Sequence, residues 1–216
     1  MFSRPDFVNM DYNISESRTN VKVNKNEVDS LEHFGGILRD EQERRKWQNP
    51  EEVLAEIGLQ PGMTFIDIGC GQGFFTIPAA KIVGESGKVY ASDINQINVN
   101  KLREKVNAAG LMNVIMQTGK AEDLKLCDAC ADIIFIGIVL HDFQDPLKVL
   151  ANARSMLKPT GRLVDLDWKK EPMEFGPPMH IRFSEEKAIQ LIESSGFKVK
   201  TKKASGLYHY LINANL

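Results

Sequence analysis

From about residue 50 onward, the apolar positions follow two alternating rhythms. Short unbroken runs, "MTFIDIG", "KVYASD", "NVIMQTG", "ADIIFIGIVL" and "GRLVDLDW", are rich in β-forming residues and bounded by glycine, proline or aspartate. Runs of that kind suit strands buried on both faces. Between them the apolar residues spread to helical spacing, as where Val99, Leu102, Val106 and Ala109 recur at intervals of 3, 4 and 3. Asn49-Pro50-Glu51-Glu52 reads as an N-cap, a first-turn proline and two acids suited to the helix dipole, opening a helix to about Leu59. "FTIPAAKIVG" is a second helix, closed by Gly84. Asp145-Pro146 caps another, with Leu147, Leu150 and Leu157 on one side and Pro159 ending it, and Ser184 caps a last one that stops at Gly196. Two strands, "FKVKTKKA" and "LYHYLINA", then flank Ser205-Gly206 as a hairpin.

This order predicts an α/β fold: a doubly wound, mostly parallel seven-stranded sheet with helices on both faces and an antiparallel C-terminal hairpin strand. Lys198, Lys200 and Lys202 alternate onto one face of the first hairpin strand. They mark an edge strand protected by charge, with a basic binding surface as the alternative. Residues 1 to about 30 are polar without a period, and "RDEQERRKW" is charged and helix-prone. Residues 1–48 are therefore expected to be a partly flexible N-terminal arm and 49–216 the folded domain. The arm reads either as a lid anchored by Trp47 or as an inert leader.

Composition narrows the function. A chain of 216 residues with 43% apolar content has enough for one substantial core. Its 29 acidic and 27 basic residues nearly cancel, so the expected partner is a small molecule, with neither nucleic acid nor membrane favoured. No apolar run approaches the roughly 20 residues that span a bilayer. The N-terminal "MFSRPDFVNMDYNISES" lacks the apolar centre of a secretory signal, which implies a soluble cytoplasmic protein. Three cysteines make no disulfide framework. Cys127 and Cys130 form a C-x-x-C at the amino end of the fourth strand, far from any pocket at the carboxyl ends. Without a second ligand pair they are expected to be ordinary buried thiols rather than a metal site. Nothing in the sequence fixes an oligomeric state.

The stretch "FIDIGCGQGFF", residues 65–75, carries the chemistry. Ligands of such sheets bind beyond the carboxyl ends of the strands. Gly69, Gly71 and Gly73 let the backbone turn sharply there and leave bare peptide for a ligand to lie against. A dinucleotide fingerprint fails, because Phe74 or Thr76 falls at the third glycine position, and no lysine follows to make a Walker loop. Asp67 already lies inside the strand end, where it repels a pyrophosphate and attracts a cation.

An acid followed by G-x-G-x-G resembles the first motif of the class I S-adenosylmethionine-dependent methyltransferases, and the resemblance extends over roughly residues 50 to 216. It implies S-adenosyl-L-methionine as cofactor. Asp93, 20 residues after Gly73, corresponds to the acid that holds both ribose hydroxyls, although alone it also reads as an N-cap for "INQINV". Ile94 corresponds to the residue that packs on adenine. In "GKAEDL" the Ala121 backbone and the neighbouring Glu122 side chain correspond to the adenine-reading segment, with Lys120 where the family often has an acid. Gly137 corresponds to a backbone position that meets the methionine end. Within the class the chain resembles small single-domain members with "DWKKE" and "GPP", here residues 167–171 and 176–178.

Methyl transfer from a sulfonium is an in-line displacement in which alignment supplies about 7 to 11 kcal/mol. His141, in "VLHDF" just past the fourth strand, is the candidate base, or else bonds a loop carbonyl or shapes the pocket floor. Asp167 and Trp168, ending the fifth strand, are candidates for a polar contact and an aromatic wall to the acceptor, with Trp168 equally a core residue. His180 is expected to be solvated, His209 to lie on a sheet face and His33 in the arm. The alternatives are a nucleic-acid or protein methyltransferase and a non-catalytic S-adenosylmethionine-binding subunit. Enzymes acting on exocyclic amines carry an acid- or asparagine-Pro-Pro-aromatic motif where this chain has "LHDF".

Overall fold

A computed structural model describes residues 40–216; His33 and the first 39 residues of the expected arm lie outside the described residues. Helix α1 (Glu41–Arg45) and helix α2 (Pro50–Glu56) lead into β1 (Thr64–Ile68), α3 (Thr76–Val83), β2 (Lys88–Asp93), α4 (Gln96–Ala108), β3 (Val114–Thr118) and β4 (Ala131–Gly137). Then follow α5 (Pro146–Met156), β5 (Leu157–Trp168), α6 (Glu185–Ser194), β6 (Lys198–Ser205) and β7 (His209–Asn215). Single 3₁₀ turns occupy Ala121–Asp123 and Leu140–Asp142.

The strands form one seven-stranded sheet in the order β3-β2-β1-β4-β5-β7-β6. The first five strands run parallel and β7 runs antiparallel to both of its neighbours. The chain winds outward from β1 through β2 to β3, then returns to the other side of β1 at β4. This reversal opens a crevice beyond the carboxyl ends of β1 and β4. Alternation along each strand divides the core. Ile66, Ile68, Ile134, Ile136 and Leu163 pack with α5 and α6, while Phe65, Ile133, Phe135, Val164 and Leu166 pack with α2 and α3. Each such side chain, fully buried, contributes roughly 1.5–3 kcal/mol.

The helix starts follow the expected chemistry. Asn49 Oδ1 accepts from the Glu51 and Glu52 amides, Asp145 Oδ1 from Lys148 and Ser184 Oγ from Lys187. Asp40 caps α1 in the same way. The ends are less regular. Ala109 is the exposed C-cap of α4 rather than part of its buried stripe. Helix α5 stops at Met156, not Pro159, because Leu157 is already extended and paired with Ala131. Its buried face is Val149, Leu150, Ala153 and Met156, and Leu147 is left 46% exposed.

The hairpin and its edge strand are as expected, but the lysines do not share one face. A bulge between Val199 and Thr201 places Lys198 opposite Asn215 and Lys202 opposite Ile212, three residues apart on β7 and so on opposite faces. Lys202 meets Glu185 at 2.6 Å and Lys203 meets Glu56 at 2.7 Å.

The expectation of ordinary thiols at Cys127 and Cys130 is corrected: the two form a disulfide with a Cα–Cα distance of 6.0 Å. The loop between them turns through Ala129 at φ 40°, and the Ala129 and Cys130 amides bond Ser155 and Met156 carbonyls at the end of α5. Closing so short a loop contributes about 2 kcal/mol on an entropic account. Cys127→Ser should therefore lower the unfolding free energy in urea by about that amount. A reductant should do the same to the wild type and nothing further to the variant; a wild type indifferent to reductant contradicts this.

Candidate cofactor and active site

Past Ile68 the backbone folds over β2, with the Gly69 and Cys70 amides both donating to the Ser92 carbonyl, at 2.8 and 2.9 Å. Gly69, Gly71 and Gly73 all take left-handed backbone, at φ 78°, 53° and 91°. Their surroundings differ. A Cβ on Gly69 would lie 2.7 Å from a Val139 methyl, and one on Gly73 would lie 2.4 Å from a Leu102 methyl. A Cβ on Gly71 would meet nothing within 4 Å. Two of the glycines thus serve the turn and its packing, and only Gly71 borders open space. This narrows the expectation that all three make room for a ligand.

Asp93, at the end of β2, accepts from the Gly71 amide through Oδ2 and from the Asn95 amide through Oδ1, each at 2.8 Å. Its carboxylate is oriented, with lone pairs to spare on both oxygens. The N-cap of α4 is Asn95, whose side chain accepts from Ile97 at 2.9 Å, so Asp93 is not needed as a cap. Beside it Ile94 is 66% exposed. At the Ala121–Asp123 turn, Asn152 Nδ2 donates to the Ala121 and Glu122 carbonyls at 3.2 and 2.8 Å. The Glu122 carboxylate accepts from the Gln144 and Asp145 amides at 3.0 and 3.3 Å, which ties this turn to the loop leading into α5.

Asp67 is buried and accepts from Thr76 Oγ1 at 2.6 Å. Burial pushes its carboxyl up to about 7, against the Thr76 hydrogen bond, with the Asp93 charge adding and the Arg44 charge opposing. Cys70 is also buried; burial first, then the charges of Asp67 and Asp93, push its thiol pKa upward, away from a thiolate.

Beyond Gly137 the chain turns through Ile138 at φ 63°, an uncommon conformation for a β-branched residue, held by the Ile138 amide donating to Leu166 at 2.6 Å. That turn packs Val139 on Gly69 and delivers His141 onto the buried Asp167. His141 Nδ1 lies 2.8 Å from both Asp167 oxygens, and Nε2 lies 3.6 Å from Asp142 Oδ1. Burial pulls the imidazole pKa down, but the Asp167 charge and hydrogen bond, with Asp142, outweigh it, and the pKa lies above its ordinary value.

Two expectations for the acceptor are corrected. Asp167 is 0% exposed, and its oxygens are committed to His141 and the Trp168 amide, so it stands behind His141 rather than at the acceptor. Trp168 is likewise 0% exposed, packed against Trp47 at 5.6 Å and His209 at 4.2 Å, with Gly176 lying on its ring. It is a core residue. His209 is a buried sheet-face residue, as expected, and His180 is exposed. Sequence reasoning missed Arg182, which is buried and donates to the carbonyls of Pro177, Lys169 and Glu171, pinning the segment between "DWKKE" and "GPP". It also missed Arg44, whose guanidinium lies 3.9 Å from the Phe74 ring centroid. Both were surface arginines by composition alone. Among the described residues no group of three or more His, Cys, Asp or Glu is placed to hold a metal, and no helix is long and apolar enough to cross a membrane.

Residues 59–209 match the methyltransferase domain family. The chain belongs to that family. The methyltransferase is 38% identical to a SAM dependent methyltransferase from Aquifex aeolicus, covering 79% of this chain and 91% of that one with a TM-score of 0.76. It is 38% identical over 52% of its length to the ubiquinone/menaquinone biosynthesis C-methyltransferase UbiE of Vibrio vulnificus, covering 44% of that protein. A demethylmenaquinone methyltransferase of Geobacillus stearothermophilus is 34% identical over 61% of this chain and 55% of its own. The chain thus spans about half the length of these curated relatives. Family, sheet order and relatives agree on a class I methyltransferase with S-adenosylmethionine as its cofactor.

The glycines give a paired test. Gly73→Ala should destabilise the fold by about 2 kcal/mol or more through strain and the Leu102 clash. Gly71→Ala should cost about 1 kcal/mol in stability yet abolish measurable S-adenosylmethionine binding, because its methyl enters the open space. Thermal melts and calorimetry read the two effects, and a Gly71→Ala protein with normal affinity contradicts the assignment.

Proposed function

We propose that the methyltransferase transfers a methyl group from S-adenosylmethionine to a small-molecule acceptor by in-line displacement, with His141 as the general base. The observation that carries this is the His141–Asp167 pair set against the same glycine turn that Gly71 and Asp93 border. The residues present suit the cofactor. Asp93 offers two oriented oxygens to the ribose hydroxyls, Gly71 offers bare backbone and Ile94 offers an uncovered apolar side chain to adenine. We assign the Ala121 backbone and Glu122 to the adenine edge and the Gly137 backbone to the methionine end. Asp67 supplies a buried carboxyl that a cation would draw into its charged form.

When bound, the cofactor supplies an electrophilic methyl whose sulfur leaves as a neutral thioether. The protein's residues handle the proton. Asp167 holds Nδ1–H and so leaves the Nε2 lone pair to accept from the acceptor, after which the imidazolium is stabilised by Asp167. Asp142, 3.6 Å away with its side chain 59% exposed, offers the route to solvent. The Vibrio and Geobacillus relatives, by name a quinone-biosynthesis C-methyltransferase and a demethylmenaquinone methyltransferase, support an acceptor of that class, a quinone precursor methylated on carbon.

His141→Ala should lower turnover about 10²–10⁴-fold with cofactor affinity unchanged, which a labelled-methyl assay with quinone precursors measures. Because the base works when neutral, kcat/KM should rise as pH climbs through a value above that of an ordinary imidazole. Asp167→Asn removes the charge that raises His141, so that limb should move to lower pH while the plateau falls. A rate limb unmoved in Asp167→Asn and a His141→Ala enzyme of normal turnover would remove the pair from the chemistry.

A further inference from the structure

We propose that Arg44 is an anion clamp of the cofactor crevice, its guanidinium pairing with the carboxylate at the amino-acid end of S-adenosylmethionine. This rests on the cofactor reading above and adds to it a residue outside the glycine motif. Residues 40–48 are strapped across the rim by several contacts. Glu41 meets Lys105 of α4 at 3.2 Å, Arg45 meets Glu51 at 2.7 Å, and Trp47 stacks on His209 at a centroid distance of 5.6 Å and an interplanar angle of 20°.

The strap turns Arg44 inward, onto the residue that directly follows Gly73. Its guanidinium lies over Phe74 at 3.9 Å and near Phe75 at 5.5 Å, and Nε donates to Gln48 Oε1 at 2.8 Å. Its terminal amines have no carboxylate partner among the described residues. Glu41, one turn earlier, spends its oxygens on Arg45 and Lys105, and Asp67 spends Oδ2 on Thr76. Burial lowers the Arg44 pKa to about 9, with the charges of Asp67 and Glu41 opposing that fall. A partly buried cation with no carboxylate in hydrogen-bond reach among the described residues is costly, and a ligand that brings the anion relieves the cost.

The charges around the crevice match such a ligand. Asp67 and Arg44 stand at one end of the glycine turn as a separated acid and base, close enough for each to shift the other's titration. The amino-acid end of the cofactor is a zwitterion, and a planar guanidinium suits a carboxylate through paired N–H donors. Arg44 answers the carboxylate and Asp67 the ammonium.

The test uses two nucleosides that differ only in that end: S-adenosylhomocysteine, and 5′-methylthioadenosine, which lacks the amino acid. Calorimetry is run on the whole chain as wild type, Arg44→Met, which keeps an unbranched stem over Phe74, and Arg44→Lys. Arg44→Met is expected to weaken S-adenosylhomocysteine about ten- to a hundredfold and leave methylthioadenosine unchanged, as lost hydrogen bonds to a charged group require. Arg44→Lys should recover part of the loss. Equal weakening of both nucleosides would mean that Arg44 only packs, and no weakening of either would equally end the clamp. A wild type that binds neither nucleoside refutes the cofactor reading itself. Thermal melts of the variants separate misfolding from lost affinity.

Discussion

The fold and the site both hang on one tight reversal, where β1 ends and the chain turns into α3. Gly69 and Gly73 must be left-handed there, and both are closed over by neighbours, Val139 from beyond β4 and Leu102 from α4. That double contact locks the turn to elements on either side of it. Gly71, between them, is left facing open space, and its amide fixes the Asp93 carboxylate at 2.8 Å. The same turn whose flanking glycines cannot carry side chains for steric reasons thus also presents bare peptide and an oriented acid.

Across the crevice a second constraint positions His141. The left-handed Ile138 is unfavourable by itself, and the adjoining sheet pays for it. Its reward is geometric: the chain leaves β4 at an angle that lays Val139 on the glycine turn and His141 on Asp167. Asp167 in turn lies on the sheet face shared with Asp165, which is fully buried, has no hydrogen-bond partner among the described residues, and has its carboxyl driven well upward, first by burial and then by the Asp167 charge. Of the two, Asp167 orients the imidazole.

Much of this was legible in the sequence because local rules and tertiary context agree. Asn49, Asp145 and Ser184 announce helix starts through hydrogen bonds within their own first turns, and short apolar runs read as strands because parallel sheets bury both faces. What failed depends on partners distant in sequence. Leu157 extends because Ala131 pairs with it, and Lys198 and Lys202 part company because of a bulge that no local signal announced. The Cys127–Cys130 spacing alone does not distinguish free thiols from a bridge, which needs the turn at Ala129. Within the candidate site, Asp93 and the glycines were visible from motif spacing. Arg44 and the burial of Asp167 and Trp168 were not, since they depend on residues 40–48 and 176–182 folding back over the ends of the strands.

On the proposed function, the peptide around Gly71, with Asp93, is the nucleoside-binding surface. Amide chemical-shift mapping of the labelled protein during titration with S-adenosylhomocysteine tests it directly. Saturable shifts are expected, largest at Gly71, Asp93, Ile94 and Ala121, with the β6–β7 hairpin unmoved. Shifts confined to other surfaces, with the Gly71 and Asp93 amides silent at saturation, would contradict it.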